Sequence, residues 1–396
     1  MATKSKLSLD VVDARSQCVD PDRLSRVKKT IEDDVKAGRY DGAVFLVGRG
    51  GKVVAHEAVG LSDLEKKRAT QHDDIFFLMS ITKSFTAVRA LMAVERGDFD
   101  LTTPVAEVIP EFGIKGKHLI TLKHLLTHTS GMNSEIPAFF PVEQLANIEG
   151  LVAALSRDRL FSLPGQDVTY NATTAHAVIA VMIQRLDEKD RPFRTMLEED
   201  LFLPLGMNDT ALGLPDRMRP RLVPLVVRDR TDSLFEPELL EAINYIAQED
   251  TEFPSGGGVS TVADVYRFAE MLRRGGELDG KRVLSPGIID IATTNQTGDS
   301  SNHVFDCLRA VHNWPVYPAY LGMGFFLRGE GIFPAPMGHA TSPRTFAGLG
   351  AGSTMFWVDP ERDLTFVFLS AGLMEEGNNF LRLQRLSDLV VASVVE

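Results

Sequence analysis

A chain of 396 residues, 44% apolar and 24% charged, is roughly two to three times a typical domain and has the balance of a globular protein with a large core. Its formal net charge of -12 speaks against sequence-independent binding to nucleic acid or to an anionic membrane, since both need clustered Lys and Arg and the sequence has no such run. The two cysteines, Cys18 and Cys307, stand far apart without metal-ligand spacing, which argues against a disulfide framework or a zinc site.

The opening residues Met1 to Leu7 are polar and lack the apolar run of a signal peptide. No stretch approaches the ~18 consecutive apolar residues of a membrane span. A cytoplasmic protein is expected, with residues 1–20 as an N-terminal extension. From Pro21 to about Ala37, Leu24, Val27, Ile31 and Val35 recur at helical spacing and Gly38 ends the run. Ala43 to Val47 and Lys52 to Ala55 flank Arg49-Gly50-Gly51 and predict a β-hairpin, so the chain opens as an α+β lobe.

Next comes Phe76-Phe77-Leu78-Met79-Ser80-Ile81-Thr82-Lys83-Ser84-Phe85. Phe85, Val88, Leu91 and Met92 continue one helical stripe and Gly97 stops it, which puts Ser80 in the first turn of the helix. At a separation of three, Ser80 and Lys83 share one helix face and can share a proton. A serine hydroxyl is a weak nucleophile and needs a base; an amine can serve once burial has lowered its pKa. Phe76, Phe77, Leu78, Met79 and Phe85 are the neighbours expected to bury it.

From Leu101 to about Asp250 helix-like runs alternate with Pro- and Gly-containing loops, which predicts a mostly helical lobe over 101–250. His124 and His128 stand four apart, but no third ligand has fitting spacing, and the pair reads as helix-end packing before Gly131. Tyr170 lies in a loop just ahead of an apolar helix containing Val178 to Ile183, where a phenol can point into a cleft and relay a proton. Gly275 to Lys281 nearly matches a phosphate-binding loop, but Arg282 stands where Ser or Thr is required, and a hairpin turn is expected instead. No Gly-x-Ser-x-Gly occurs.

Strand character returns at Ser353 to Val358 and Leu364 to Ser370 around a turn-rich linker, followed by a helical stripe from Phe380 to Val394. Helix and hairpin at the front, hairpin and helix at the back, predict that residues 21–100 and 251–396 build one sheet lobe. Ahead of these strands, Phe346-Ala347-Gly348-Leu349-Gly350-Ala351-Gly352 opens a strand with small residues, whose exposed N–H groups can bind a developing oxyanion.

Ser80-Ile81-Thr82-Lys83, the Leu125 to Gly131 stretch, Pro164-Gly165 before Tyr170, Pro204-Leu205-Gly206-Met207 and the glycine-rich strand leading to Asp359-Pro360 resemble, in this order, the serine β-lactamase superfamily. The nearest branch is that of the class C β-lactamase-like esterases and acyltransferases. The resemblance implies a β-lactamase/transpeptidase-like α+β fold with its site between a sheet lobe and a helical lobe. It implies Ser80 as nucleophile, Lys83 as general base and Tyr170 as acid-base partner, with the backbone N–H groups of Ser80 and Ala351 as the oxyanion hole and no metal or cofactor. Two positions depart from the superfamily pattern. Tyr170-Asn171-Ala172 replaces Tyr-x-Asn, and Gly348-Leu349-Gly350 replaces Lys-Thr-Gly or His-x-Gly, with His339 as an alternative third motif. Asn171, Gly348 and Gly350 are thus the expected substrate-binding positions, and the absent cation favours neutral or bulky esters over β-lactams. The acyl pocket is expected near Phe139, Phe140 and Trp314 to Tyr317.

The leading expectation is a serine esterase that cleaves a small-molecule ester through an acyl-enzyme. Acyl transfer to an alcohol or amine, and amide or β-lactam hydrolysis, are the alternatives. A non-catalytic binding protein on the same scaffold is disfavoured by the presence of Ser80, Lys83 and Tyr170 together. Oligomeric state is left open.

Overall fold

The structure, a computed structural model, describes residues 6–137, 140, 141, 144, 146–231 and 234–395. Helix α1 (Pro21–Lys36) starts where the Asp20 carboxylate accepts from the N–H groups of Asp22 and Arg23 and Pro21 supplies a pre-set φ. The hairpin follows as β1 (Gly42–Arg49) and β2 (Lys52–Asp63), turning on Gly50 and Gly51, both at positive φ. β2 runs past the expected end at Ala55, because residues up to Gly60 keep pairing with β1. The short β3 (Arg68–Ala69) closes that edge. Then come α2 (Thr82–Arg96), α3 (Ala175–Arg185) and α4 (Val262–Arg273). The chain ends with β4 (Phe326–Leu327), β5 (Phe346–Gly350), β6 (Thr354–Asp359), β7 (Leu364–Ala371) and α5 (Glu376–Ala392).

These strands form an antiparallel sheet in the order β3-β2-β1-β7-β6-β5-β4. β1 and β7, from opposite ends of the sequence, lie side by side in its middle, with Gly42 opposite Ala371 and Arg49 opposite Leu364. Successive side chains point to opposite faces. Phe45, Val47, Met355, Trp357, Phe366 and Phe368 therefore pack with Leu24, Val27 and Ile31 of α1 and Leu383, Leu386 and Val390 of α5. Val44, Leu46, Phe356, Val358, Val367 and Leu369 join the core of the other face, with Val265, Phe268 and Leu272 of α4. Both faces are covered by helices, so the strands read as nearly unbroken apolar runs. Trp357 Nε1 donates to Ser387 Oγ at 3.0 Å, tying the sheet to α5.

Residues ahead of α1 pack onto this lobe: Val11 pairs with Val53, Val19 pairs with Val394, and Val395 N donates to Cys18 O at 3.1 Å. Between Val105 and Ile246 the described chain is helices, short helical turns and loops, plus one two-residue strand, Ala211–Leu212. That strand joins Phe76–Phe77 and Gly258–Ser260 in a small three-stranded sheet. We propose residues 21–100 with 251–396 as one lobe and 101–250 as the other, with this sheet as their seam. The Gly275 to Lys281 run is the hairpin between Glu277–Leu278 and Lys281–Arg282, as expected.

β5 lies close against the turn that precedes α2. A Cβ on Gly350 would overlap the Leu78 carbonyl oxygen and Thr354 Oγ1. Gly350→Ala is therefore expected to cost about 1–3 kcal/mol in chemical denaturation, as over-packing does, while Gly287→Ala, which meets open space at an ordinary φ, costs less than that.

Candidate active site

The turn carrying Ser80 is fixed from three directions. Leu78 N donates to Gly258 O at 2.8 Å, and Thr354 Oγ1 donates to Leu78 O at 2.9 Å. Thr82 Oγ1 donates to Met79 O at 2.7 Å and accepts from Gly258 N at 2.9 Å. Met79 sits at φ +51, a left-handed conformation that costs a non-glycine residue roughly 1 kcal/mol or more. That residue breaks the helix one step early. Ser80 accordingly lies in a 3-10 turn, Met79–Ile81, at the mouth of α2 rather than inside its first turn. The positive end of the α2 dipole points at it.

Lys83 is 3% exposed. Its Nζ lies 3.0 Å from Ser80 Oγ, 2.7 Å from Ala172 O and 2.8 Å from Ser255 O. Burial pushes its pKa well below the usual lysine value of 10.5. A neutral amine has two N–H bonds and one lone pair. The two carbonyls can only accept, so they take both N–H bonds, and the lone pair is left facing the Ser80 hydroxyl. The burial does not come from Phe85, which packs on the far side against Phe202 and Phe268, with ring centroids 5.2 and 4.7 Å away.

Tyr170 completes the cluster. Its ring centroid lies 5.1 Å from Lys83 Nζ, it borders the same cleft as Ser80, and burial raises its pKa above the ordinary 10.0, with Ser80 pulling the other way. The ring is held between His128 and Phe326, with centroids 4.4 and 5.5 Å away. The backbone around it is clamped at three consecutive N–H groups. Tyr170 N donates to Asn302 Oδ1 at 3.0 Å, Asn171 N to His128 Nδ1 at 3.0 Å and Ala172 N to Ser134 Oγ at 2.7 Å. These bonds aim the Ala172 carbonyl at Lys83. As an acceptor at Nδ1, His128 is neutral, and burial together with Lys83 pushes its pKa down to about 3.

Ser80, Tyr170, Gly350 and Ala351 border one cleft, whose walls include Phe235, Phe305, Phe326, Leu349 and Phe380. Ala351 follows directly after β5, so its backbone and that of Ser80 meet the cleft from two sides. Other expectations need correction. The Asn171 side chain is committed to α3: its Oδ1 accepts from Thr174 N and Ala175 N at 2.8 and 2.9 Å, and its Nδ2 donates to Asn133 O at 3.1 Å. It is not a substrate contact. Gly348 borders a small cavity behind Ser80, but a Cβ there would overlap the Phe356 ring and come within 3.0 Å of Ser84 Oγ. The glycine serves close packing of β5 on α2 instead of making room for substrate. Phe140 is in the core and Phe139 lies outside the described residues. Trp314 stacks behind Phe380 at 6.3 Å and Tyr317 stacks on Phe333 at 4.8 Å, so neither forms the wall itself. His339 is exposed, with its Nε2 at 2.9 Å from Phe333 O, and does not supply a third motif.

The carbonyls of Ala172 and Ser255 and the clamps at Asn302, His128 and Ser134 were missed, because backbone oxygens have no sequence signature. Pro254-Ser255-Gly256-Gly257-Gly258 is the signal that marks one of them: a Cβ on Gly258 would lie 2.7 Å from Thr82 Oγ1.

The sequence profile of the family described as Beta-lactamase matches residues 27–388. The chain belongs to that family. An uncharacterized protein of Mycobacterium tuberculosis is 27% identical over 373 residues, 86% of this chain and 88% of that one. Esterase EstB of Burkholderia gladioli is 27% identical over 290 residues, covering 63% of this chain and 70% of that one. The crystal structure of a penicillin-binding protein homolog from Caulobacter crescentus superposes with a TM-score of 0.77 at 24% identity, over 95% of this chain and 98% of that one. This Beta-lactamase family member thus has the β-lactamase/transpeptidase-like fold.

Two outcomes are expected from this geometry. With Lys83 depressed and Tyr170 raised, kcat/KM for an ester should rise with pH through a limb far below 10.5 and show no fall through pH 10; a limb near 10.5 would mean an ordinary ammonium. His128→Ala, which removes both the clamp on Asn171 N and the support of the Tyr170 ring, should lower kcat about 10–100-fold, and His128→Asn, whose amide oxygen can still accept, should recover part of it.

Proposed function

We propose that the protein is a serine carboxylesterase acting on an uncharged small-molecule ester. The observation that carries this reading is the buried Lys83 amine, 3.0 Å from Ser80 Oγ and 2.7 and 2.8 Å from the carbonyls of Ala172 and Ser255.

In the first half-reaction Ser80 Oγ attacks the ester carbonyl while its proton moves to Lys83 Nζ. The backbone N–H groups of Ser80 and Ala351 take the negative charge that develops on the carbonyl oxygen. The C–O bond to the alcohol then breaks. Tyr170 protonates the departing alkoxide and takes a replacement proton from Lys83, so the alcohol leaves with the phenol's proton and the one taken from Ser80 restores the pair. In the second half, water gives a proton to the same pair as it adds to the acyl carbonyl; the acyl–Oγ bond then breaks, the pair returns the proton to Ser80 Oγ and the acid departs. Two features support hydrolysis of neutral esters over β-lactams: Gly348 brings no cation, and the cleft walls are largely apolar. Those walls also favour acyl transfer to an apolar alcohol as a second reading, distinguishable by product masses with added alcohols.

Ser80→Ala is expected to abolish p-nitrophenyl ester hydrolysis and labelling by a fluorophosphonate probe, while Lys83→Ala and Tyr170→Phe each lower the rate by orders of magnitude. Nitrocefin turnover should be slow or absent. Retained esterase activity in folded Ser80→Ala would end the proposal.

A further inference from the structure

The sequence holds no basic run longer than Lys66-Lys67-Arg68, but the fold assembles a basic cluster from two distant turns. Residues 113–119 and 157–163 meet in the helical region, where Lys115 Nζ donates to Arg157 O and the buried Lys117 Nζ donates to Asp158 O. Leu160, Phe161, Leu163, Lys115, Gly116 and Arg159 line one open groove there. Its surroundings expose large apolar side chains: Phe161 is 80% exposed, Leu163 63%, Leu119 53% and Ile114 49%. Lys115, Arg157 and Arg159 are exposed beside them, and Asp158 is the one acidic side chain in the two turns. None of these three cations has a carboxylate partner among the described residues, whereas Arg185 and Arg191, in the same region, are each tied to two or more carboxylates.

Protruding aromatic and aliphatic side chains ringed by unpaired cations, on a chain whose net charge is -12, are an unusual combination. Apolar tips gain by entering the boundary between headgroups and acyl chains, and cations beside them gain from anionic headgroups. From this juxtaposition we infer that the face formed by Ile114, Lys115, Leu119, Arg159, Phe161 and Leu163 docks peripherally on an anionic lipid surface. The inference is independent of the esterase reading. The surface also lies close to the site in the chain: Phe161 N donates to Gly131 O at 2.8 Å and Gly165 N to Thr129 O at 2.7 Å, so the docking turn is fastened to the loop that carries His128. An enzyme held this way would meet esters partitioned into the lipid.

The test is co-sedimentation of the full chain with vesicles of phosphatidylcholine alone and of phosphatidylcholine mixed with phosphatidylglycerol. Binding is expected to the mixed vesicles and to be at least about tenfold weaker to phosphatidylcholine alone. The double variants Phe161→Ser with Leu163→Ser, and Lys115→Glu with Arg159→Glu, should each weaken binding about tenfold or more while hydrolysis of a soluble p-nitrophenyl ester is unchanged. No sedimentation with the anionic vesicles, or equal sedimentation of wild type and both variants, would overturn the inference. So would a wild-type dimer, seen by light scattering, that ignores vesicles and dissociates in the Phe161→Ser, Leu163→Ser variant, since the face would then cover a second copy.

Discussion

An amine sealed from water beside two carbonyl oxygens is the constraint on which the rest of this structure depends. Had either oxygen belonged to a carboxylate, Coulomb attraction would hold the amine as an ammonium and leave no lone pair for the serine. Peptide carbonyls satisfy both N–H bonds without that attraction, and so desolvation decides the outcome. The phenol follows the same logic, since burial keeps its proton on and makes it a donor. Burial thus pushes Lys83, Tyr170 and His128 alike toward their uncharged forms.

Placing those two carbonyls takes most of the scaffold. One is delivered by the loop before α3, held by Asn302, His128 and Ser134; the other comes from the turn just ahead of the Gly258–Ser260 strand, beside a run of glycines. The left-handed Met79 lets the serine turn lie against both. Each element is held by others distant in sequence, and the cleft is the place where they converge.

The sheet was legible because it is periodic: β1, β2, β6 and β7 alternate apolar side chains toward two helical layers, and α1 carries its own cap in Asp20-Pro21. The Ser80–Lys83 pair was legible because helical spacing alone makes two residues three apart neighbours. Tyr170 could be singled out as a phenol at a loop-helix junction, but its contact with Ser80 depends on tertiary placement. Asn171 and Gly348 show how pattern matching misleads. A polar residue next to Tyr170 had two uses, and helix capping took it; a glycine expected to meet substrate lies against the Phe356 ring. The apolar walls were misassigned for a similar reason. Aromatic composition marks what is buried and says nothing about which ring faces the cleft and which stands behind it, as Trp314 does behind Phe380.

The interleaving of β1 with β7 has a consequence for biosynthesis. A nascent chain on the ribosome exposes Ser80 and Lys83 early, but the second carbonyl waits for Ser255, and β1 finds its inner neighbour only when residues 364–371 have emerged. Until residue 255 has emerged, Lys83 lacks one of the two carbonyls that hold it, and β1 waits longer still for the strand beside it. The reactive cluster is therefore assembled only after segments 89 and 172 residues downstream of Lys83 have been made.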